Sequence, residues 1–247
     1  MRRPAHAPGG AHSGTDPGAA PSAGNGILSR LASADLRMLE PLEYVRLPRG
    51  FAPLEAGTAV EYLYFPVGAL VSLGQINRHG AMPEIAHIGA EGIVGVTALL
   101  GAAASRYRAI VRVPGDAYRL PLSSARAAFA QSTTFRALVL GFTEALMLQI
   151  SQNVICKLAH TIEQQFCQRL LRYTDHMCGA ELEMTHEQMA EALGSRRQGI
   201  TEVARKLLTQ RAIAYSRGRL SVLDRDTLER NACDCYAVVR TAYDELK

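Results

Sequence analysis

The stretch 184–208, MTHEQMAEALGSRRQGITEVARKLL, contains two helix-start signals on either side of a glycine. Thr185-His186-Glu187-Gln188 has the form of a capping box, in which the threonine hydroxyl accepts from a third-position N–H and the glutamine reaches back. Met189, Ala190, Ala192 and Leu193 supply one apolar face, and Gly194 supplies a stop. Ser195-Arg196-Arg197-Gln198 repeats the start device with Ser195 as N-cap. Ile200, Val203, Ala204, Leu207 and Leu208 then fall on the inner side of a second helix. Two short helices joined through a glycine, each with its own start, make a helix-turn-helix.

The outer positions of the second helix are Arg196, Arg197, Gln198, Thr201, Glu202 and Arg205. The first three lie in its opening turn, where recognition helices meet base edges in the major groove. Arginine can bond guanine O6 and N7 bidentately, and glutamine can do the same for adenine N6 and N7. Downstream, Ile213-Ala214-Tyr215, Ser216-Arg217-Gly218-Arg219 and Leu220-Ser221-Val222-Leu223 read as a hairpin with a basic tip, a wing over 213–223. Arg217 and Arg219 are expected on phosphates. Residues 195–219 hold seven Lys or Arg against one acid, Glu202, a net +6 where the whole chain has +4. Such a focus of charge is the footprint of a surface that binds a nucleic-acid backbone. With Thr185 and Ser195, these side chains form the candidate DNA-contact set.

The 247 residues exceed one typical domain, and 48% of them are apolar. Residues 1–26 are rich in Gly, Pro, Ala, Ser and His and are expected to be a disordered tail. They lack the apolar core of a signal peptide, and no uninterrupted run of about 18 apolar residues occurs, so no membrane association is expected. The five cysteines are odd in number and begin only at Cys156, which points to a reducing cytoplasm rather than a disulfide scaffold.

Over 27–132, a helical stretch with Leu28, Leu31, Leu36 and Leu39 ends near Pro41. Short runs separated by glycines follow at 62–65, 69–73, 84–88, 92–95, 109–113 and 117–120. That pattern indicates an all-β sandwich or barrel. After Ser123 the period turns helical. Phe135, Leu138, Phe142, Leu146 and Ile150 mark a helix over 133–159 that is apolar around most of its circumference. Such a helix must be covered on more than one side. The barrel can cover one face, and a two-fold partner helix is expected to cover the other.

Taken together, these features resemble the Crp/Fnr family of transcription regulators over about residues 28–228. The resemblance rests on EYLYFPVGALVSL (61–73) and IGAEGIVG (88–95) in the barrel, on 184–208, and on the wing IAYSRGRLSV (213–222). It implies an α+β chain: an N-terminal double-stranded β-helix (jelly-roll) sensor barrel, a long dimerisation helix, and a C-terminal winged helix-turn-helix over 160–228, followed by a helical extension over 229–247. It implies a homodimer on a pseudo-palindromic duplex operator, with RNA polymerase and an unidentified small-molecule effector as further partners. Matched onto the family's motif, Arg197 takes the place of its base-reading arginine. Gln198 and Glu202 depart from the residues usual at their positions.

The sensor departs further. Where cyclic-nucleotide binders carry Gly-Glu-Leu, this chain has Gly95-Val96-Thr97, and Val96 can accept no hydrogen bond. The phosphate-pairing element aligns as Tyr107-Arg108-Ala109, without arginine at its first place. Gly95, Val96, Thr97, Arg106, Tyr107 and Arg108 are the candidate effector pocket, but a cyclic nucleotide is not expected there. Nor is an iron–sulfur cluster, since no cysteine precedes Cys156.

Cys156, Cys167 and Cys178 recur every eleven residues, as if on one side of a single helix. That spacing sets neighbours roughly 16 Å apart, too far to share an ion. Cys233-x-Cys235 is a narrow pair for structural zinc and reads as packing of a C-terminal helix with Tyr236, Val239 and Tyr243. His79, Glu84 and His87 are the residues a cupin-like metalloenzyme would use, but they lack that fold's His-x-His spacing. No catalytic residue, metal or cofactor is expected. A ligand-binding barrel acting through protein contacts is the other rival reading.

Overall fold

The computed structural model describes residues 24–78, 80–102, 104–177 and 181–246. The expected tail lies outside them except for 24–26, and there the expectation fails. Asn25 is buried: its Oδ1 accepts from the N–H groups of Ile27 and Leu28, and its amide donates to the carbonyls of Pro66 and Gly92. A short 3-10 turn, Leu28–Arg30, and helix α1, Ser33–Arg37, then carry Leu28, Leu31 and Leu39 into the core.

Six strands follow: β1 Glu43–Leu47, β2 Tyr62–Pro66, β3 Leu70–Gly74, β4 Glu84–Ile88, β5 Arg108–Val113 and β6 Gly115–Pro121. They form two antiparallel sheets, ordered β1-β6-β2 and β4-β3-β5. Both send side chains into one core, which includes Leu63, Phe65, Val71, Ile88, Val111 and Leu120. At Gly115 a Cβ would lie 2.3 Å from the backbone of Gly68 and Ala69, so only glycine lets β6 pass there. Two strand expectations change. Glu43–Leu47 is a strand the sequence reading lacks. The run 92–95 contributes only one bridge, Val94 to Tyr64, because Gly95 turns at φ +95° into a 3-10 turn, Val96–Ala98.

Helix α2, Leu122–Gln131, leads to the 27-residue helix α3, Thr133–Ala159. Ser132 starts it, its Oγ accepting from the Phe135 N–H and donating to Asp35. Phe135, Phe142 and Leu146 are buried against the barrel, with Leu138 and Ile150 packed beside them. All five residues chosen to mark the dimer helix therefore face the barrel. The apolar side left uncovered is the opposite one, with Leu140, Met147 (64% exposed), Val154 and Leu158 (83%). By length and composition alone α3 could cross a bilayer. Two of its polar residues are committed to β4. Gln149 exchanges hydrogen bonds with the backbone N–H and C=O of His87, and Asn153 donates to the carbonyl of Ile85.

The chain turns at His160, and a second capping box, Thr161 with Gln164, opens helix α4, Ile162–Asp175. Cys156 and Cys167 thus lie on different helices, which overturns the single-helix expectation; Cys178 is outside the described residues. The remainder comprises β7 Leu182–Glu183, α5 His186–Ala192, α6 Arg197–Thr209, β8 Ile213–Ser216, β9 Arg219–Val222, α7 Arg225–Asn231 and α8 Cys235–Asp244. Its core gathers Phe166, Leu170, Tyr173, Met189, Ile200 and Leu207, among others.

Candidate nucleic-acid interface

Helix α5 starts on the expected box: Thr185 Oγ1 accepts from the Gln188 N–H at 3.1 Å, and Gln188 Oε1 accepts from the Thr185 N–H at 2.9 Å. Gly194, at φ +56°, ends the element, and the Ser195 N–H returns to the Ala190 carbonyl at 2.9 Å. Ser195 is spent on that turn and does not cap the second helix. Among the described residues its Oγ is buried without a partner, and Arg196 takes the N-cap position with no side-chain hydrogen bond. The first N–H groups of α6 are left without a capping side chain, at the end of a helix where partial positive charge favours an anion.

Ile200, Val203, Ala204 and Leu207 fix the inner face of α6, so Arg196, Arg197, Gln198, Glu202 and Arg205 are exposed. Arg197 lies 3.8 Å from Glu187, with both side chains more than two-thirds exposed. A pair so wet constrains the guanidinium little. Gln198 donates to Glu202 at 3.0 Å, one turn on. Thr201 is half-buried, donates to the Arg197 carbonyl and meets His186 Nδ1 at 3.1 Å. It supports the reading face more than it reads. The His186 ring stacks on Tyr215 with centroids 4.5 Å apart, linking α5 to the wing. Burial and the nearby Arg197 charge hold its pKa below the ordinary value.

The wing is the β8–β9 hairpin, with Ser216 opposite Arg219 and Arg217-Gly218 as its two-residue tip. Both tip residues have positive φ, +51° and +79°, the pattern of a type I′ turn. Arg217 projects there without an ion pair among the described residues. Arg219 is different: it stands 3.8 Å from Glu181 and 3.5 Å from Glu183. Lys206 is likewise paired, with Glu163 at 2.7 Å. The fold therefore brings acids back beside the basic segment, and among the described residues Arg196, Arg205, Arg211 and Arg217 are the basic side chains of that segment without an ion pair.

Behind this face lies the junction with the barrel, which the sequence reading missed. Glu84 on β4 is fully buried and accepts from Ser72, from Arg169 and, at 2.5 Å, from the Tyr173 hydroxyl; His87 Nδ1 lies 3.2 Å away. Burial opposes its charge, but Arg169 and His87 outweigh that and hold its pKa well below the carboxylate range. Burial lowers the pKa of His87 to about 3, so its imidazole is neutral. Glu84 and His87 are thus committed to joining β4 to α4, not to a metal with His79, which lies outside the described residues. Only contacts across the tertiary fold, with no local motif, would have shown this.

The candidate effector residues have differing environments. Val96 is buried in the barrel core, Arg106 is exposed, and Arg108 pairs with Glu55 at 3.1 Å. A cavity of about 510 Å³ lies between barrel, α3, α4 and α8. Its lining includes His87, Glu91, Phe142, Arg172, His176 and Tyr243, but none of the six candidates.

Comparison with known proteins matches a Crp-like helix-turn-helix domain to residues 164–231. The global nitrogen regulator of Synechococcus elongatus is 24% identical over 197 residues, 74% of this chain and 87% of that protein. Among solved structures, FixK2 from Bradyrhizobium japonicum superposes with a TM-score of 0.66 at 14% identity, covering 78% of this chain and 98% of its own. A Crp/Fnr-family transcriptional regulator from Thermus thermophilus gives 0.64 at 20% identity, covering 77% and 98%. These two superpositions establish a common fold.

Proposed function

We propose that the chain, whose residues 164–231 match a Crp-like helix-turn-helix domain, is a transcription regulator of the Crp/Fnr type that works as a homodimer on a pseudo-palindromic operator. One observation carries this reading: α6 buries its apolar side and leaves its opening turn, with Arg196, Arg197 and Gln198, exposed, while Arg217 stands at the wing tip without an ion pair among the described residues. Arg197 and Gln198 read base edges, and Arg196, Arg205 and Arg217 hold phosphates. Thr185, Ser195 and Thr201 position the two helices; Arg219 and Glu202 stand at the edge of the contact.

The uncovered side of α3 supplies the dimer. Leu140, Met147 and Val154 are seven apart, and Leu158 follows four later, a heptad-like seam suited to a second copy of the same helix. The cavity beside α3 and α8 is the place for a small-molecule effector, because filling it bears on both the barrel and the DNA-binding half. The cytoplasm is the compartment and RNA polymerase the protein partner of such a regulator. No catalytic step is assigned.

Selection from random duplexes tests the reading. The enriched sequences should form an inverted repeat with half-sites about one helical turn apart, roughly 34–36 Å. Enrichment of unsymmetrical sites, or of none, would refute the two-fold assignment.

A further inference from the structure

Two pairs of side chains, more than 70 positions apart in sequence, converge where α3 gives way to α4. Cys156 is in the last turn of α3, and His160 is its C-cap. Cys233 follows α7, and Cys235 opens α8. The sulfurs of Cys156 and Cys233 are 3.5 Å apart, and Cys235 Sγ is 3.4 Å from His160 Nδ1. All four atoms lie within 4.8 Å of one another. A tetrahedral ion with metal–sulfur bonds of about 2.3 Å and metal–nitrogen bonds of about 2.0 Å places its ligands roughly 3.5–3.8 Å apart. The spacing fits one ion held at the centre.

The surroundings point the same way. His160 Nε2 lies 3.6 Å from the Asp234 carboxylate, a negative charge on the far side of the ring that favours the proton on Nε2 and so leaves Nδ1 its lone pair. The Gln152 amide donates to Cys235 Sγ at 3.3 Å, and the Gln168 amide reaches Cys156 Sγ at 3.8 Å. Amide donors aimed at sulfur stabilise thiolates; apolar packing of thiols has no need of them. The cysteines are buried apart from the two main cores, whereas Asp234 is 80% exposed beside His160 and opens a path for an ion.

We propose that Cys156, His160, Cys233 and Cys235 bind a single thiophilic divalent cation, zinc by the chemistry of the ligand set. Three sulfurs and one imidazole complete a tetrahedron and leave no open position, the pattern of a structural site. On loading, the three thiols release their protons to solvent and the ion takes their place. The ion then ties the end of the long helix to the C-terminal extension. This assignment does not depend on the DNA-binding reading.

Full-length protein, reduced and stripped of metal, is titrated with cobalt(II) and then with zinc(II). Expected is one equivalent of cobalt in a tetrahedral, thiolate-rich environment, visible by charge-transfer absorption and displaced by zinc. Cys235→Ser should weaken binding at least tenfold. Asp234→Asn, at an exposed position that leaves the fold intact, should weaken it about 10–100-fold. Cys167→Ser, which removes a buried cysteine outside the cluster, should change nothing. The proposal is overturned if reduced protein binds no cobalt at one equivalent, if Cys235→Ser and Asp234→Asn bind as well as wild type, or if Cys156 and Cys233 form a disulfide in protein that retains no metal.

Discussion

At the scale of single residues, Arg197 and Glu84 bear opposite burdens. Arg197 is exposed, so removing it leaves the fold alone and costs recognition. Arg197→Ala should lose about 1–3 kcal/mol of operator binding and relax specificity at one base pair per half-site, read by fluorescence anisotropy on a panel of substituted operators. Glu84 is buried, and Arg169 depends on it. Glu84→Gln should destabilise the protein by roughly 3–5 kcal/mol in denaturant unfolding, because a buried guanidinium loses its counter-charge. The sequence discloses the first residue and hides the second. Arg197 follows a glycine stop and precedes an apolar period, so its exposure is a matter of local helical geometry. Glu84 and Arg169 are 85 positions apart, and only the packing of β4 on α4 brings them together. Ser195 shows a subtler limit: a good N-cap residue was drawn into the turn before the helix it precedes.

At the scale of elements, α3 is legible as a helix and as one with two apolar sides, but not in the assignment of those sides. Its largest side chains, Phe135 and Phe142, are buried against the barrel, and the less bulky Leu140, Met147 and Val154 are left exposed. Apolarity alone cannot make that choice; the barrel's shape does. Met147→Asp, at an exposed position, should leave each protomer folded but shift the dimer toward monomer in analytical ultracentrifugation, with operator binding lost in parallel. A variant that stays dimeric would place the seam elsewhere. The end of α3 was legible in principle, since Thr161 and Gln164 form the same kind of capping box as Thr185 and Gln188. That box separates Cys156 from Cys167 and turns Cys156 toward Cys233.

Across the whole molecule, the β-rich half, the long helix and the winged helix-turn-helix follow from strand punctuation, helical period and caps. The contacts between the halves do not, because they depend on surfaces that form only after each half folds. Their chemistry gives the molecule a pH dependence. The unfolded chain takes up a proton on His87 near pH 6.5, the folded chain only near pH 3. Stability held by the neutral imidazole is therefore complete above about pH 6.5 and declines as pH falls toward 3. Glu84, with its lowered pKa, adds a loss in the same direction below the ordinary carboxylate range. The urea midpoint should drop between pH 7 and 4.5, and His87→Gln should flatten that dependence whatever its effect at neutral pH.

The most direct measurement is equilibrium binding of purified protein to its selected operator and to an unrelated duplex of equal length, between about 50 and about 200 mM salt. The exposed α6 and its basic wing predict a preference for the operator of roughly 1,000-fold or more, with log affinity falling linearly against log salt. Arg217→Ala should weaken both duplexes alike and reduce the salt slope by about one per protomer. Failure to bind duplex DNA at low salt, or binding indifferent to salt, would contradict the central claim.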